Sequence, residues 1–514
     1  MSANDRLDRA ERVAFAVVSA LGLAWCFTAL TYPLGYDQGM MAEVGDVIVR
    51  GGLPYRDGFD LKGPLTFYLF AALEVVFGRV AWAIRLFDVV LLLVSAFMMF
   101  RLLRRVLGSE IIARWIALCL VLAVASRGWF FTAQPDGWAA ALVVAGVTPR
   151  IGRDVHSRCD WLVSGFCIGL AALIKPFFLV FLSIPLVIGL GSGLGIAPAA
   201  LSLVGAVLPI AATLGWFAAK NGLHELIAVY IRFNAEAYSG VERFDVRGAA
   251  AVTASYLWNG GRRPFWPEYV PPGPFPVLLV PIAAGAILAW KEWRNVGLPL
   301  LAWTASAVAC VAIQTRGLVY HWLIAFPPIL ALAAVALAKL VEEGRAGRLM
   351  AATAIAVFVA GVGVEPLRDA WHLTRYVVGR DSRDEYLGDF QMDTFNALSA
   401  IQAAEYLKAR TQPEDRVVTY GEIALVDFLA GRQSPTRFVF ALPLNVSNRT
   451  YRDRFRAEFI ADLTRVPPEI IALGSQQDEQ SLAEFPEFKK LLADHYGADT
   501  KFGRLKLYRL LHDD

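Results

Sequence analysis

The chain has 514 residues, 56% of them hydrophobic and 18% charged, with a mean hydropathy of +0.48; a soluble domain is nearer a quarter charged, so water is not its main solvent. A net charge of +3 from 49 basic and 46 acidic residues excludes a global field that would point to nucleic acid or to a strongly acidic ligand. The five cysteines, Cys26, Cys119, Cys159, Cys167 and Cys310, show no Cys-x-x-Cys or Cys/His spacing, so neither disulfides nor zinc is expected.

The N-terminal residues MSANDRLDRAER lead into an apolar run at 13–31 with no small-residue cleavage site behind it, which reads as a retained first span. A bilayer core needs roughly 20 mostly apolar residues per helix, fewer where helices tilt or break. Further runs follow at 80–100, 110–126, 136–148, 161–174, 176–190, 197–219, 275–290, 297–314, 319–338 and 349–364, giving about eleven spans. Starting from a cytoplasmic N-terminus, the alternation puts Arg101, Arg105, Arg150, Arg158, Lys291, Arg294, Lys339 and Arg348 on the inner side, as the positive-inside rule asks. It puts 32–79, 221–274 and everything after 364 outside. The last of these has ordinary charge density and reads as an α/β unit: AIQAAEYLKAR as a helix, and RVVTYGE, PEIIALG and FGRLKLYRL as strands.

The first outer segment carries the most chemistry. Asp37 stands at the outer end of the first span, between Gly35 and Gly39, where a carboxylate costs solvation energy unless it has a partner or a task. Glycine on both sides lets a ligand approach the backbone. Residues 40–50 have helical spacing and read as a short helix lying on the membrane surface; Asp46, Arg50 and Asp57 read as solvated loop charges. Lys62 follows in DLKGP, with snorkelling from a surface helix as its plain alternative.

The run YDQG, GGLPYRD and DLKGPLTFY resembles polyprenyl-phosphate-dependent glycosyltransferases of the GT-C superfamily, the group of protein O-mannosyltransferases, aminoarabinose lipid A transferases and lipopolysaccharide-core galacturonosyltransferases. The resemblance implies an α-helical polytopic membrane protein, GT-C-like with about eleven transmembrane helices and a C-terminal soluble α/β domain. Residues 1–364 would form the membrane domain and 365–514 the extracytoplasmic one. It also implies that Asp37 is the base that deprotonates the acceptor hydroxyl. Family members often read YDE; here Gln38 follows, which removes one carboxylate of a possible pair and weakens the case for a divalent cation. No cofactor is expected.

Breaking the bond between an anomeric carbon and a phosphate builds positive charge on the sugar ring and negative charge on the leaving group. A carboxylate must take the incoming proton, and cations must cradle the phosphate. Lys62, Lys175, Arg316 and His321 are the candidates for the phosphate or donor sugar. For Lys175, which interrupts an apolar run, a structural anchor is the alternative; for Arg316 and His321 it is an interfacial belt. Asp136, in FFTAQPDGWAAAL, resembles a second aspartate that relatives place near the donor sugar, with N-capping of a helix beginning at Gly137 as the alternative. There is no Walker loop, no dinucleotide fingerprint and no nucleophile elbow.

The expected activity is transfer of a monosaccharide from a polyprenyl-phosphate carrier to a hydroxyl of lipid A, a glycan or a protein at the outer face of the plasma membrane. The partners are that donor, its acceptor and membrane lipids, with no nucleic acid. The competing classes are a multi-pass transporter or flippase, which would carry charges at the bilayer midplane, and a polysaccharide ligase acting on lipid-linked intermediates.

Overall fold

Long apolar runs form helices because in lipid every backbone polar group must be satisfied within its own segment. The computed structural model describes residues 3–153, 156–238, 275–292, 294–314, 318–474 and 476–512. Arg316 and most of the predicted outer segment 221–274 lie outside the described residues. In chain order the helices are α1 (Ala3–Ala29), α2 (Tyr36–Val49), α3 (Pro64–Phe77), α4 (Ala81–Leu107), α5 (Glu110–Ala125), α6 (Pro135–Val147), α7 (Arg158–Ala172), α8 (Ser183–Gly191), α9 (Ala197–Ala219), α10 (Phe275–Glu292), α11 (Arg294–Ile313), α12 (Phe326–Glu342), α13 (Arg345–Val362) and α14 (Val364–Val377). Each of the predicted runs falls on a helical segment. Among the described residues, five helices are long and apolar enough to cross a membrane, and the remaining predicted spans fall on other apolar helices. One apolar helix, α3, falls in the segment that the sequence reads as an outer loop.

By contact the chain forms two compact units, one from 1–30, 85–212 and 244–374, the other from 31–84, 213–243 and 375–514. The first is all-helical. Its centre is α12, in which every residue from Phe326 to Ala338 is buried; a helix apolar on all sides has no face to offer water. Small residues bring its helices together. A Cβ on Gly165 of α7 would lie 1.8 Å from the Ser202 carbonyl oxygen of α9, and one on Gly205 of α9 would lie 2.1 Å from that of Leu162, so the two helices cross backbone to backbone. Arg105, in the last turn of α4, donates to the carbonyls of Thr148 and Ile151, both at 2.7 Å, satisfying groups that a helix end leaves open.

The second unit joins α2, α3 and a π-helical stretch, Leu226–Tyr238, to the C-terminal segment. That segment contains a two-residue hairpin, β1 (Gln391–Met392) and β2 (Phe395–Asn396). The helices α15 (Ala397–Arg410), α16 (Leu425–Ala430), α17 (Arg449–Arg465) and α18 (Pro486–His495) accompany β3 (Val417–Tyr420), β4 (Ile470–Leu473), β5 (Tyr496–Phe502) and β6 (Leu505–Leu510). The sheet order is β3-β4-β6-β5, with β3 parallel to β4 and the other pairs antiparallel. All residues of β3 and β4 are buried, which is why both read as unbroken apolar runs rather than alternating ones. The helix and three strands expected in this segment are α15, β3, β4 and β6.

Candidate active site

Asp37 sits in the first turn of α2, whose N-cap is Gly35. The turn is closed by Gln38, which is fully buried and whose side-chain oxygen accepts the Gly35 N–H at 3.0 Å, one half of a capping box. The residue that stands where family members often have glutamate is thus a cap, and the helix N-terminus behind it favours negative charge on Asp37. Gly39, expected to admit a ligand, is instead closed by protein: a Cβ there would meet Leu425 of α16. Helix α2 is not a surface helix either, since residues 37 to 46 are all buried.

Lys62 is brought to Asp37 by the loop that follows α2. Its ammonium lies 3.6 Å from Asp37 Oδ1 and 3.7 Å from Asp60 Oδ1. Asp60 is buried and caps its own turn by accepting the N–H groups of Leu61 and Lys62. Burial pushes its carboxyl up from the ordinary range, against the opposing pull of the Lys62 ammonium. The loop is pinned from several sides. The Tyr55 hydroxyl donates to the Lys62 carbonyl at 2.8 Å, Asn234 donates to the Leu61 carbonyl at 2.9 Å, and the Phe59 N–H donates to the Arg437 carbonyl at 2.7 Å. Tyr55 holds this place at a positive φ of 71°, stacked on Tyr230.

Deeper on α2 the charges read as solvated turn out to be partly buried. Asp46 is 1% exposed and bridges Arg50 and Arg79; Arg79 also reaches Glu74 at 3.1 Å. Asp57 remains half-exposed, paired with Arg56. Facing this cluster, Asp427 of α16 accepts the Thr419 hydroxyl at 2.7 Å. Burial pushes its carboxyl up to about 7, opposed by the Thr419 hydrogen bond. The Glu43 carboxyl rises for the same reason and through the proximity of Asp427 and Asp46.

The first unit holds a second carboxylate–lysine pair. Asp136 occupies the first turn of α6, past its N-cap Gln134, so it is not the cap that the sequence allowed. Lys175 donates to both of its oxygens, at 2.9 and 2.7 Å, and to the side-chain oxygen of Gln314 at 2.5 Å. Lys175 is extended, with φ −147° and ψ 124°, at the break between α7 and a 3-10 helix, Pro176–Leu182, and its ammonium lies 5.6 Å from the centre of the Tyr320 ring. Its charge is therefore engaged by Asp136 rather than standing apart as a separate cation. His321 is buried in the 3-10 helix Val319–Ile324, edge-on to Tyr320.

The entry to α6 is held by two residues that the sequence reading passed over. Arg85 donates to the Trp129 and Thr132 carbonyls. Asp88 accepts the Ala133 N–H and the Trp138 indole N–H, both at 2.9 Å, while Ala133 adopts a positive φ of 52°. Their signal was present in AWAIRLFDVVLLLV, two charges three residues apart inside an apolar run.

The model of glycosyltransferase family 87 matches residues 63–319, half of the chain. The chain belongs to glycosyltransferase family 87. The match begins just past Lys62, so Asp37 lies ahead of it. Among solved structures, this family 87 glycosyltransferase is similar to ArnT from Cupriavidus metallidurans bound to undecaprenyl phosphate, at 15% identity and a TM-score of 0.62, covering 96% of this chain and 97% of that one. The apo state of the same protein gives 0.59 at 15% identity and 98% coverage of both. The oligosaccharyltransferase of Archaeoglobus fulgidus in complex with zinc and sulfate gives 0.51 at 12% identity, covering 96% of this chain and 73% of that one. At these identities the likeness is one of fold; membership of a glycosyltransferase family rests on the family 87 match. The comparison with curated protein sequences found no match.

Proposed function

We propose that this family 87 enzyme takes a monosaccharide from a polyprenyl-phosphate carrier and delivers it to a hydroxyl acceptor at the outer face of the membrane, with Asp37 as general base. The observation that carries the reading is the Asp37–Lys62 juxtaposition, a carboxylate at a helix N-terminus with an ammonium 3.6 Å away. Asp37 takes the acceptor's hydroxyl proton as the oxygen bonds to the anomeric carbon. The bond from that carbon to the phosphate oxygen breaks on the opposite side, with inversion, and its electrons leave with the lipid phosphate. Lys62 offsets the charge gathering there. Lys62 is near two carboxylates, Asp37 and Asp60, which hold the ammonium in place. That the ArnT structure of the same fold holds undecaprenyl phosphate supports this donor class.

Asp136 and Lys175 serve the donor as a pair in this reading. A carboxylate locked to its lysine offers fixed acceptors for sugar hydroxyls while its charge stays balanced. Arg316 and His321 remain further donor contacts in the proposal. The N-terminus is cytoplasmic, and residues 365–514 form the extracytoplasmic part. The acceptor is lipid A, a glycan or a protein.

The donor assignment is tested by mass spectrometry of lipid-linked sugars from cells lacking the protein. One polyprenyl-phosphate sugar is expected to accumulate and to be cleared when the wild-type chain is restored. An unchanged lipid-linked sugar profile contradicts the assignment.

A further inference from the structure

A cavity of about 280 Å³ opens within the second unit, with neither Asp37 nor Lys62 in its lining. Its lining is divided by chemistry. Leu34, Ile401, Leu425 and Leu429 give it an apolar floor, and Arg79, Arg383 and Lys408 give it three cations against one acid, Glu405.

The cations are not equivalent. Arg79 is fixed by carboxylates beneath it, since its Nε and Nη2 groups donate to buried Asp46 and its Nε lies 3.1 Å from Glu74. Its third nitrogen, Nη1, is left toward Gly431, where a Cβ would come within 2.7 Å of it. Gly431, at a φ of 66°, is the αL cap of α16 and also the residue that leaves this nitrogen room. A guanidinium held on two nitrogens loses little freedom when the third binds an anion. Arg383 pairs with Glu405 at 2.9 Å, both more than half exposed, so that contact is readily exchanged for a stronger one. Lys408 has no acidic partner among the described residues and stands exposed at the rim.

The cavity is also tethered to the membrane. Pro33, another lining residue, follows the end of α1 at Ala29 by a tether of at most ~14 Å, and Ala81 in the lining is the first residue of α4. Both helices are long and apolar enough to cross a bilayer. An apolar floor beneath cationic groups, with the first residue of a membrane-length helix in its lining, matches an amphiphilic anion. We propose that this cavity binds the phosphate-bearing headgroup of an anionic membrane lipid, at a site separate from the sugar donor and resting on none of the assignments above. The phosphate meets Arg79, Arg383 and Lys408, and the first carbons of the lipid lie on the leucine floor.

The test uses the full chain, delipidated in detergent and titrated with short-chain phosphatidylglycerol, short-chain phosphatidylcholine or inorganic phosphate, with binding read by native mass spectrometry and thermal shift. Phosphatidylglycerol is expected to bind and to raise the melting temperature. Lys408→Glu and Arg383→Gln, both at exposed positions that tolerate change, weaken it, by about tenfold for the charge reversal. Lys490→Glu, an exposed lysine outside the cavity lining, leaves binding intact and so controls for general surface charge. Equal binding of phosphatidylcholine, equal weakening by Lys490→Glu, or indifference to both cavity variants would overturn the proposal. A full shift from inorganic phosphate alone would overturn the lipid source.

Discussion

Gly39 and Leu425 meet backbone to backbone: a Cβ built on Gly39 would lie 2.7 Å from Leu425 Cβ and 2.9 Å from its Cα and N. One short helix of the C-terminal segment thus rests on the turn of α2 that carries Asp37. The glycine two residues after the proposed base is required by packing, and the C-terminal segment takes part in positioning that base.

Gly39→Ala therefore forces α2 and α16 apart. Overpacking of this kind costs ~1–3 kcal/mol, and here it also displaces Asp37. The variant is expected to melt several degrees lower in a detergent thermal-shift assay and to lose most of its transfer activity. Wild-type melting and activity together would contradict the contact.

Asp427 gives the contact a pH dependence. Its carboxyl ordinarily titrates near 3.8 and is raised to about 7 in the fold. Between those values the unfolded chain has released a proton that the folded chain retains, so stability falls as pH rises through this window and the penalty is complete above about 7. Asp427→Asn carries no titrating proton and keeps an acceptor for Thr419. It is expected to be more stable than wild type at pH 8, on the order of a few kcal/mol, with the difference shrinking toward pH 4. The comparison is made by denaturant or thermal melts at both pH values.

Asp136 and Lys175 form a cycle that separates structure from function. Each single neutralisation, Asp136→Asn or Lys175→Gln, leaves a buried or half-buried charge without its partner and is expected to cost ~3–5 kcal/mol. The double variant recovers much of that stability, because neither charge is left behind. If the pair serves the donor, activity stays low in the double variant; recovery of activity with stability would make the pair structural only.

Lys62 is expected to act on the donor. Lys62→Gln loses a charge-assisted contact of about 1.5–3 kcal/mol, which appears as a fall of roughly tenfold to a hundredfold in kcat/KM for the lipid donor. Lys62→Arg restores part of it. An unchanged kcat/KM in Lys62→Gln would remove the residue from the phosphate site.

The sequence carries the fold because lipid imposes it locally. Each membrane helix announces itself as an apolar run, and the buried strands β3 and β4 as short apolar stretches between turns. Helix α3 escapes that logic: PLTFYLFAALEVVF is apolar but shorter than a span and sits among charges. The site was legible as a set of residue types and not as partnerships. Lys175 reaches Asp136 across 39 residues and Gln314 across 139, and Arg437 reaches the Tyr55 carbonyl across 382. No local periodicity encodes such pairings. Asp46 reads as solvated for the same reason, since its partner Arg79 stands 33 residues away.

The role of Asp37 as base is read most directly from transfer by reconstituted Asp37→Asn with a purified polyprenyl-phosphate sugar donor. The amide keeps the size of the side chain and the fold of α2 but cannot take a proton. The melting temperature is expected to stay at the wild-type value and turnover to fall by about 10²–10⁴-fold. Turnover within a few-fold of wild type would show that Asp37 is not the base.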